Sequence, residues 1–126
     1  MRTVWSINEN PEMNNSFVVD TNILPYFFDG NNAAGKFIYS VEISIYSISH
    51  IELLSNKNIT AQKNELIIEF LAGSTILQTT PAICNITAKL RLNYIIKIPD
   101  AVIAATVKYL NLPLITVDNQ FLKLKN

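Results

Sequence analysis

Phe17-Val18-Val19-Asp20-Thr21-Asn22 is an apolar run that stops on a carboxylate, with two small polar residues behind it. Aromatic and β-branched side chains in an unbroken run, without alternation, predict a strand buried on both faces, as in a parallel sheet covered by helices. Leu114-Ile115-Thr116-Val117-Asp118 repeats the pattern and again ends on an aspartate. In a parallel α/β sheet the strand ends share one edge, so acids remote along the chain can meet in a crevice just outside it.

From Ser16 onward, short apolar runs alternate with helical patterns, as expected of such a sheet. A short helix is predicted from Asn22 to about Phe28, ending near Asp29-Gly30. Ile43, Ile45 and Tyr46 mark a second strand, and a helix beginning near Ser49 carries Glu52-Leu53-Leu54. Thr60 is an N-cap for a helix whose Leu66, Ile67, Phe70 and Leu71 form one apolar stripe, closed by Gly73. Thr75 to Leu77 reads as a third strand, and Thr80-Pro81 as cap and first turn of a helix using Ile83, Ile86 and Leu90. A further helix runs from about Pro99 to Leu110, Leu114 to Thr116 is the last buried strand, and Phe121, Leu122 and Leu124 pack a short tail. Residues 1–15 are polar, Asn-rich and aperiodic. They are expected to be a flexible extension, with Met13 a candidate natural start, before a single domain over 16–126.

With 126 residues, 49% of them hydrophobic and 16% charged, one domain can bury a sizeable core. The single cysteine, Cys84, excludes an internal disulfide and a cysteine-based zinc site, and is expected to be a packing residue. No signal core and no stretch of roughly 20 apolar residues is present, so a cytoplasmic location is expected. Ten Lys and Arg balance ten Asp and Glu, which at first argues against nucleic acid. If four of the acids share one pit, however, the remaining surface carries six acids against ten cations. A basic rim would then draw on some of Lys36, Lys57, Lys89, Arg91, Lys97, Lys123 and Lys125.

Four acids stand at strand ends or helix starts: Asp20, Glu52, Asp100 and Asp118. Taken singly, each has a plainer reading, with Asp20 and Asp100 as helix caps, Asp118 as a turn residue and Glu52 on a helix surface. The set resists that reading. Asp100, Ile103, Val107 and Leu110 are spaced 3, 4 and 3, which puts Asp100 on the inward stripe of its helix, where an unpaired charge is expensive. Two carboxylates about 5 Å apart repel by roughly 3 kcal/mol at an effective dielectric near 20, so a convergent group of four requires a cation. Oxygen ligands without His or Cys favour Mg²⁺ or Mn²⁺ over zinc. Such an ion can activate water and steady the charge on a phosphodiester.

These residues resemble the PIN-domain ribonucleases and, within them, the VapC toxins of bacterial toxin–antitoxin pairs. The likeness covers nearly everything from Ser16 to Lys125 and rests on Val19-Asp20-Thr21-Asn22-Ile23-Leu24, Glu52-Leu53-Leu54, Leu90-Arg91 leading to Pro99-Asp100-Ala101-Val102-Ile103-Ala104-Ala105-Thr106, and Leu114-Ile115-Thr116-Val117-Asp118-Asn119-Gln120-Phe121. The resemblance implies a PIN-like three-layer α/β fold, with a central parallel β-sheet flanked by helices. It also implies a Mg²⁺- or Mn²⁺-dependent endoribonuclease acting on RNAs of the translation machinery, without a covalent enzyme intermediate. Asp20, Glu52, Asp100 and Asp118 would be both the catalytic and the metal-binding residues. Asn22 and Thr116 would orient carboxylates or water, while Thr21 is expected to be structural. The partners implied are a cognate antitoxin, which would insert a segment into the crevice, and a second copy in a homodimer. Where the family often has a Ser in the strand before the glutamate and a Thr three residues before it, this chain has Tyr46 and Ser49.

His50 stands two residues from Glu52, and side chains two apart on a helix face different ways, so it is read as solvated or capping. Arg91 is read as a helix-surface residue. A receiver-like phosphotransfer domain would need adjacent acids after the first strand and a late lysine after another strand. A haloacid-dehalogenase-like phosphatase would need an acid two residues after its nucleophile, where Asn22 stands. A non-catalytic PIN-fold module binding nucleic acid or protein is the alternative that the retained acids oppose.

Overall fold

The computed structural model describes residues 16–23 and 42–124. The expected extension over 1–15, most of the helix expected after Asn22, Lys36 and Lys125 lie outside the described residues.

Four parallel strands form one sheet in the order β3-β2-β1-β4: β1 Ser16–Val19, β2 Glu42–Tyr46, β3 Thr75–Leu77 and β4 Leu114–Ile115. β1 pairs Phe17 with Ile43 on one side and Val19 with Ile115 on the other. The ladder reaches one residue past β1, where the Asp20 N–H donates to the Ile115 carbonyl at 3.0 Å. Successive strands move away from β1 on one side and β4 returns on the other. The sheet therefore reverses direction between β1 and β4, the place where open α/β sheets leave a crevice beyond their strand ends.

Alternating side chains of the strands feed two cores. Phe17, Val19, Ile43, Ile45 and Ile115 pack against Ile67, Phe70 and Leu71 of helix α2 (Ala61–Ala72). On the other face, Val18, Tyr46 and Leu114 join Ile83 and Leu90 of α3 (Pro81–Asn93), the buried side of α4 (Ile98–Leu110), and Phe121 and Leu124 of a 3₁₀ segment over Asn119–Leu124. The result is the expected three-layer arrangement of an all-parallel sheet between helices.

Local chemistry sets the helix ends. Thr60 and Thr80 cap α2 and α3 by accepting from the Lys63 N–H (3.2 Å) and the Ile83 N–H (3.3 Å), and Pro81 opens α3. Gly73 ends α2 as expected, but its φ of −89° is right-handed, so closure there does not use glycine's special freedom. Asn111 is the residue that turns left-handed, at φ 55°, and with Pro113 two positions on it stops α4 before β4. Helix α1 spans Ser47–Leu54, beginning two residues ahead of the expected start at Ser49, directly off β2.

Two expectations fail. Cys84 is exposed rather than packed: α3 buries Ile83, Thr87 and Leu90, and Cys84 lies off that face. Helix α4 does not bury one stripe, because every residue from Ala101 to Val107 is buried, as in a helix covered on all sides. Ala101, Ala104 and Ala105 make this possible by letting neighbours approach closely. Among the described residues no helix is long and apolar enough to cross a membrane.

Candidate active site

The chain places Asp20 immediately after β1, Glu52 in the last turn of α1, Asp100 in the first turn of α4 and Asp118 three residues beyond β4. All four line one crevice of about 240 Å³ at the strand ends, together with Asn22, Tyr46 and Ser49 and an apolar wall of Ile48, Pro99 and Ile103. Asp20 and Asp100, eighty residues apart in the chain, thus open on the same space.

Asp20 is the deepest of the four, only 5% exposed. Burial pushes its carboxyl up to about 6; the charges of Asp100 and Asp118 push the same way, while a hydrogen bond from Thr116 and one from the Asn22 backbone oppose them. Asp100 is half-buried and is also raised, first by burial and then by Asp118 and Glu52, against the pull of Lys97 and Lys123. Two desolvated carboxylates, each raised further by neighbouring acids, describe a site whose negative charge is only partly offset locally.

Thr116, fully buried, organises the floor. Its hydroxyl donates to Asp20 Oδ2 at 2.8 Å, lies 3.3 Å from Asn22 Oδ1, and accepts the Asp118 N–H at 3.0 Å. One hydroxyl therefore ties the two strand-end aspartates and Asn22 together. Asp118 also caps the segment after it, accepting from the Gln120 N–H (2.9 Å) and from Gln120 Nε2 (3.1 Å). The turn role expected of a lone Asp118 is real and coexists with its place in the crevice. Glu52 is exposed at the mouth. His50 does not line the crevice, and Arg91 sits on the surface of α3 with its Nε donating to the Ile96 carbonyl at 3.3 Å.

Tyr46 and Ser49 are crevice residues that sequence reasoning named only as departures from a pattern. Ser49 is one turn ahead of Glu52, and the spacing of three signals that the two share a helix face. Tyr46 ends β2, and its hydroxyl accepts from Thr79 Oγ1 at 2.8 Å.

Among the described residues, no three His, Cys, Asp or Glu side chains form a ready-made cage for an ion. The acids line the crevice rather than close around a point. Their chemistry still suits a hard divalent cation: every acidic donor is a carboxylate oxygen, and the deepest has its ionised form destabilised first by burial and then by the neighbouring acids.

No curated protein matches the chain. Among solved structures, a toxin–antitoxin complex from Klebsiella pneumoniae is 28% identical and superposes with a TM-score of 0.68, over 82% of this chain and 88% of that one. The VapBC2 complex of Rickettsia felis, bound to a DNA fragment from its promoter, is 20% identical with a TM-score of 0.69, over 86% and 92%, and supports the fold. The model of the PIN domain matches residues 17–126, and the chain belongs to that family.

Proposed function

We propose that this protein is a divalent-metal-dependent endoribonuclease, the toxin of a VapC-type toxin–antitoxin pair. The observation that carries the reading is the gathering of Asp20, Glu52, Asp100 and Asp118 on one crevice at the reversal point of the sheet, with Asp20 desolvated. PIN domains are generally nucleases, and the likeness to the Klebsiella complex supports an antitoxin as partner.

Mg²⁺ or Mn²⁺ held by Asp20, Asp100, Asp118 and Glu52 would supply the positive charge that lets an anionic phosphodiester approach, and would lower the pKa of water at the site. The protein's own contribution is positional. Thr116 fixes the Asp20 carboxylate, Asn22 presents its amide at the crevice edge, and Pro99 and Ile103 wall off one side from solvent. Among the described residues the crevice pairs no serine or cysteine with a histidine, in keeping with hydrolysis by attack of water without an enzyme-linked intermediate. An antitoxin segment seated in the crevice would block RNA, and the toxin would act as a homodimer in the cytoplasm.

Cleavage of end-labelled RNA in Mn²⁺ by the parent and by Asp20→Ala tests the reading. The parent cuts and the variant does not. Equal cleavage by both rejects this site.

A further inference from the structure

We propose that Arg91 and Lys123, both hydrogen-bonded to the connection between α3 and α4, and Lys97 within it form a phosphate-binding rim that leads single-stranded RNA into the crevice past Asp100, with Tyr94 as a stacking face. The proposal rests on the nuclease reading and adds the path of the substrate.

Three cations remote or separate in the chain meet on one short segment. Arg91 Nε donates to the Ile96 carbonyl, and Lys123 Nζ, from the 3₁₀ segment after β4, donates to the Ile95 carbonyl. The two cationic heads are thus anchored on consecutive residues of one connection, and Lys97 is the next residue along. This cluster is coupled to the acids: both Lys97 and Lys123 act electrostatically on the Asp100 carboxyl. Lys97 and Lys123 are thus near enough to the Asp100 side of the crevice to bear on its charge, in a chain whose formal net charge is zero.

The anchoring bonds leave donors to spare. A guanidinium carries five N–H groups and an ammonium three, and the two bonds use one of each. Among the described residues neither head makes a further hydrogen bond. All three cations are exposed. The same connection holds Tyr94, 37% exposed, and Ile95, 95% exposed. Phosphate-directed cations together with an exposed aromatic face are the combination by which proteins hold single strands with little sequence preference. A backbone pinned through two carbonyls presents these groups in fixed positions, which lowers the ordering cost of binding.

The test is binding of a fluorescein-labelled, unstructured 20-nucleotide RNA, followed by anisotropy across a salt series in Ca²⁺ buffer, with the probe checked intact on a gel. Lys97→Glu is expected to weaken binding about tenfold and to reduce the slope of log K against log salt by about 1. Tyr94→Ala is expected to weaken binding several-fold at unchanged slope, because stacking releases no counterions. Lys63→Glu, the same charge change on α2 at the opposite face, is expected to change neither. Arg91→Lys and Lys123→Arg keep the charge and guard against loss of the anchoring bonds being mistaken for loss of phosphate contact. Unchanged affinity and slope in Lys97→Glu and Tyr94→Ala, with the parent still cleaving RNA in Mn²⁺, overturns the rim and leaves the nuclease reading standing. A parent that neither binds nor cleaves RNA overturns both. Loss of affinity for a polypeptide partner, with RNA binding intact, also overturns the rim.

Discussion

Thr116 Oγ1 lies 2.8 Å from Asp20 Oδ2, joining the ends of β4 and β1 by a single buried hydrogen bond. The pair is possible only because the sheet sets those two strands side by side, with Val19 opposite Ile115. The same hydroxyl accepts the Asp118 N–H, so a side chain with no charge sets the positions of two that have one.

Thr116→Val keeps the shape and deletes the hydroxyl. Because partners that orient ligands typically contribute 10–100-fold to metal affinity or activity, cleavage or Mn²⁺ affinity is expected to fall by about that factor. Thr116→Ser should retain most of it. Kinetics over a Mn²⁺ titration read the difference, and wild-type behaviour in Thr116→Val would remove the role given to this residue.

Stability should depend on pH through Asp20. Its carboxyl, at an ordinary value of 3.8 in the unfolded chain, is pushed up to about 6 in the fold, chiefly by burial. The folded state therefore binds a proton that the unfolded chain releases. That contribution is fully present below about 3.8 and is lost as pH rises through about 6, a total of about 3 kcal/mol. Urea denaturation in EDTA should show the parent losing stability over this range relative to Asp20→Asn. Mn²⁺ at pH 7.5 should raise the parent's Tm and leave the variant's nearly unmoved. Parallel pH profiles for the two proteins would contradict the assignment.

The charge of Asp118 acts on the Asp100 carboxyl, and the two line one crevice, so they should act as a unit. Asp100→Asn and Asp118→Asn are each expected to lower kcat/KM about a hundredfold or more, and the double variant to be little worse than either. Strict additivity would show that the two serve separate steps.

Phe121 is fully buried in the 3₁₀ segment that follows Asp118. Phe121→Ala should cost about 3–5 kcal/mol. Urea melts measure it, and a loss under about 1 kcal/mol would mean that this segment is not part of the core.

The strands and most helices were legible because their signals are local. Phe17 to Val19, Thr75 to Leu77, the capping Thr60 and Thr80, and Pro81 each state a preference that the packing does not override. Asp20 and Asp118 are legible as strand-end punctuation, and Asp100 as a charge at a helix start. The shared floor under them was not, because a hydrogen bond between Thr116 and Asp20 depends on strand order, which no local pattern encodes. The burial of α4 was underestimated for a related reason. Spacing of large apolar residues reveals one stripe, whereas alanines are silent about which way they face. Cys84 was misplaced because apolar character alone does not say which side of α3 a residue takes.

Those alanines have a consequence for the chemistry. Ala101, Ala104 and Ala105 have no exposed surface, so the helix that delivers Asp100 is seated to within the thickness of a methyl group. They act as shims behind the crevice: a longer side chain there would displace the whole first turn, and the damage would register as misaligned carboxylates before it registered as unfolding.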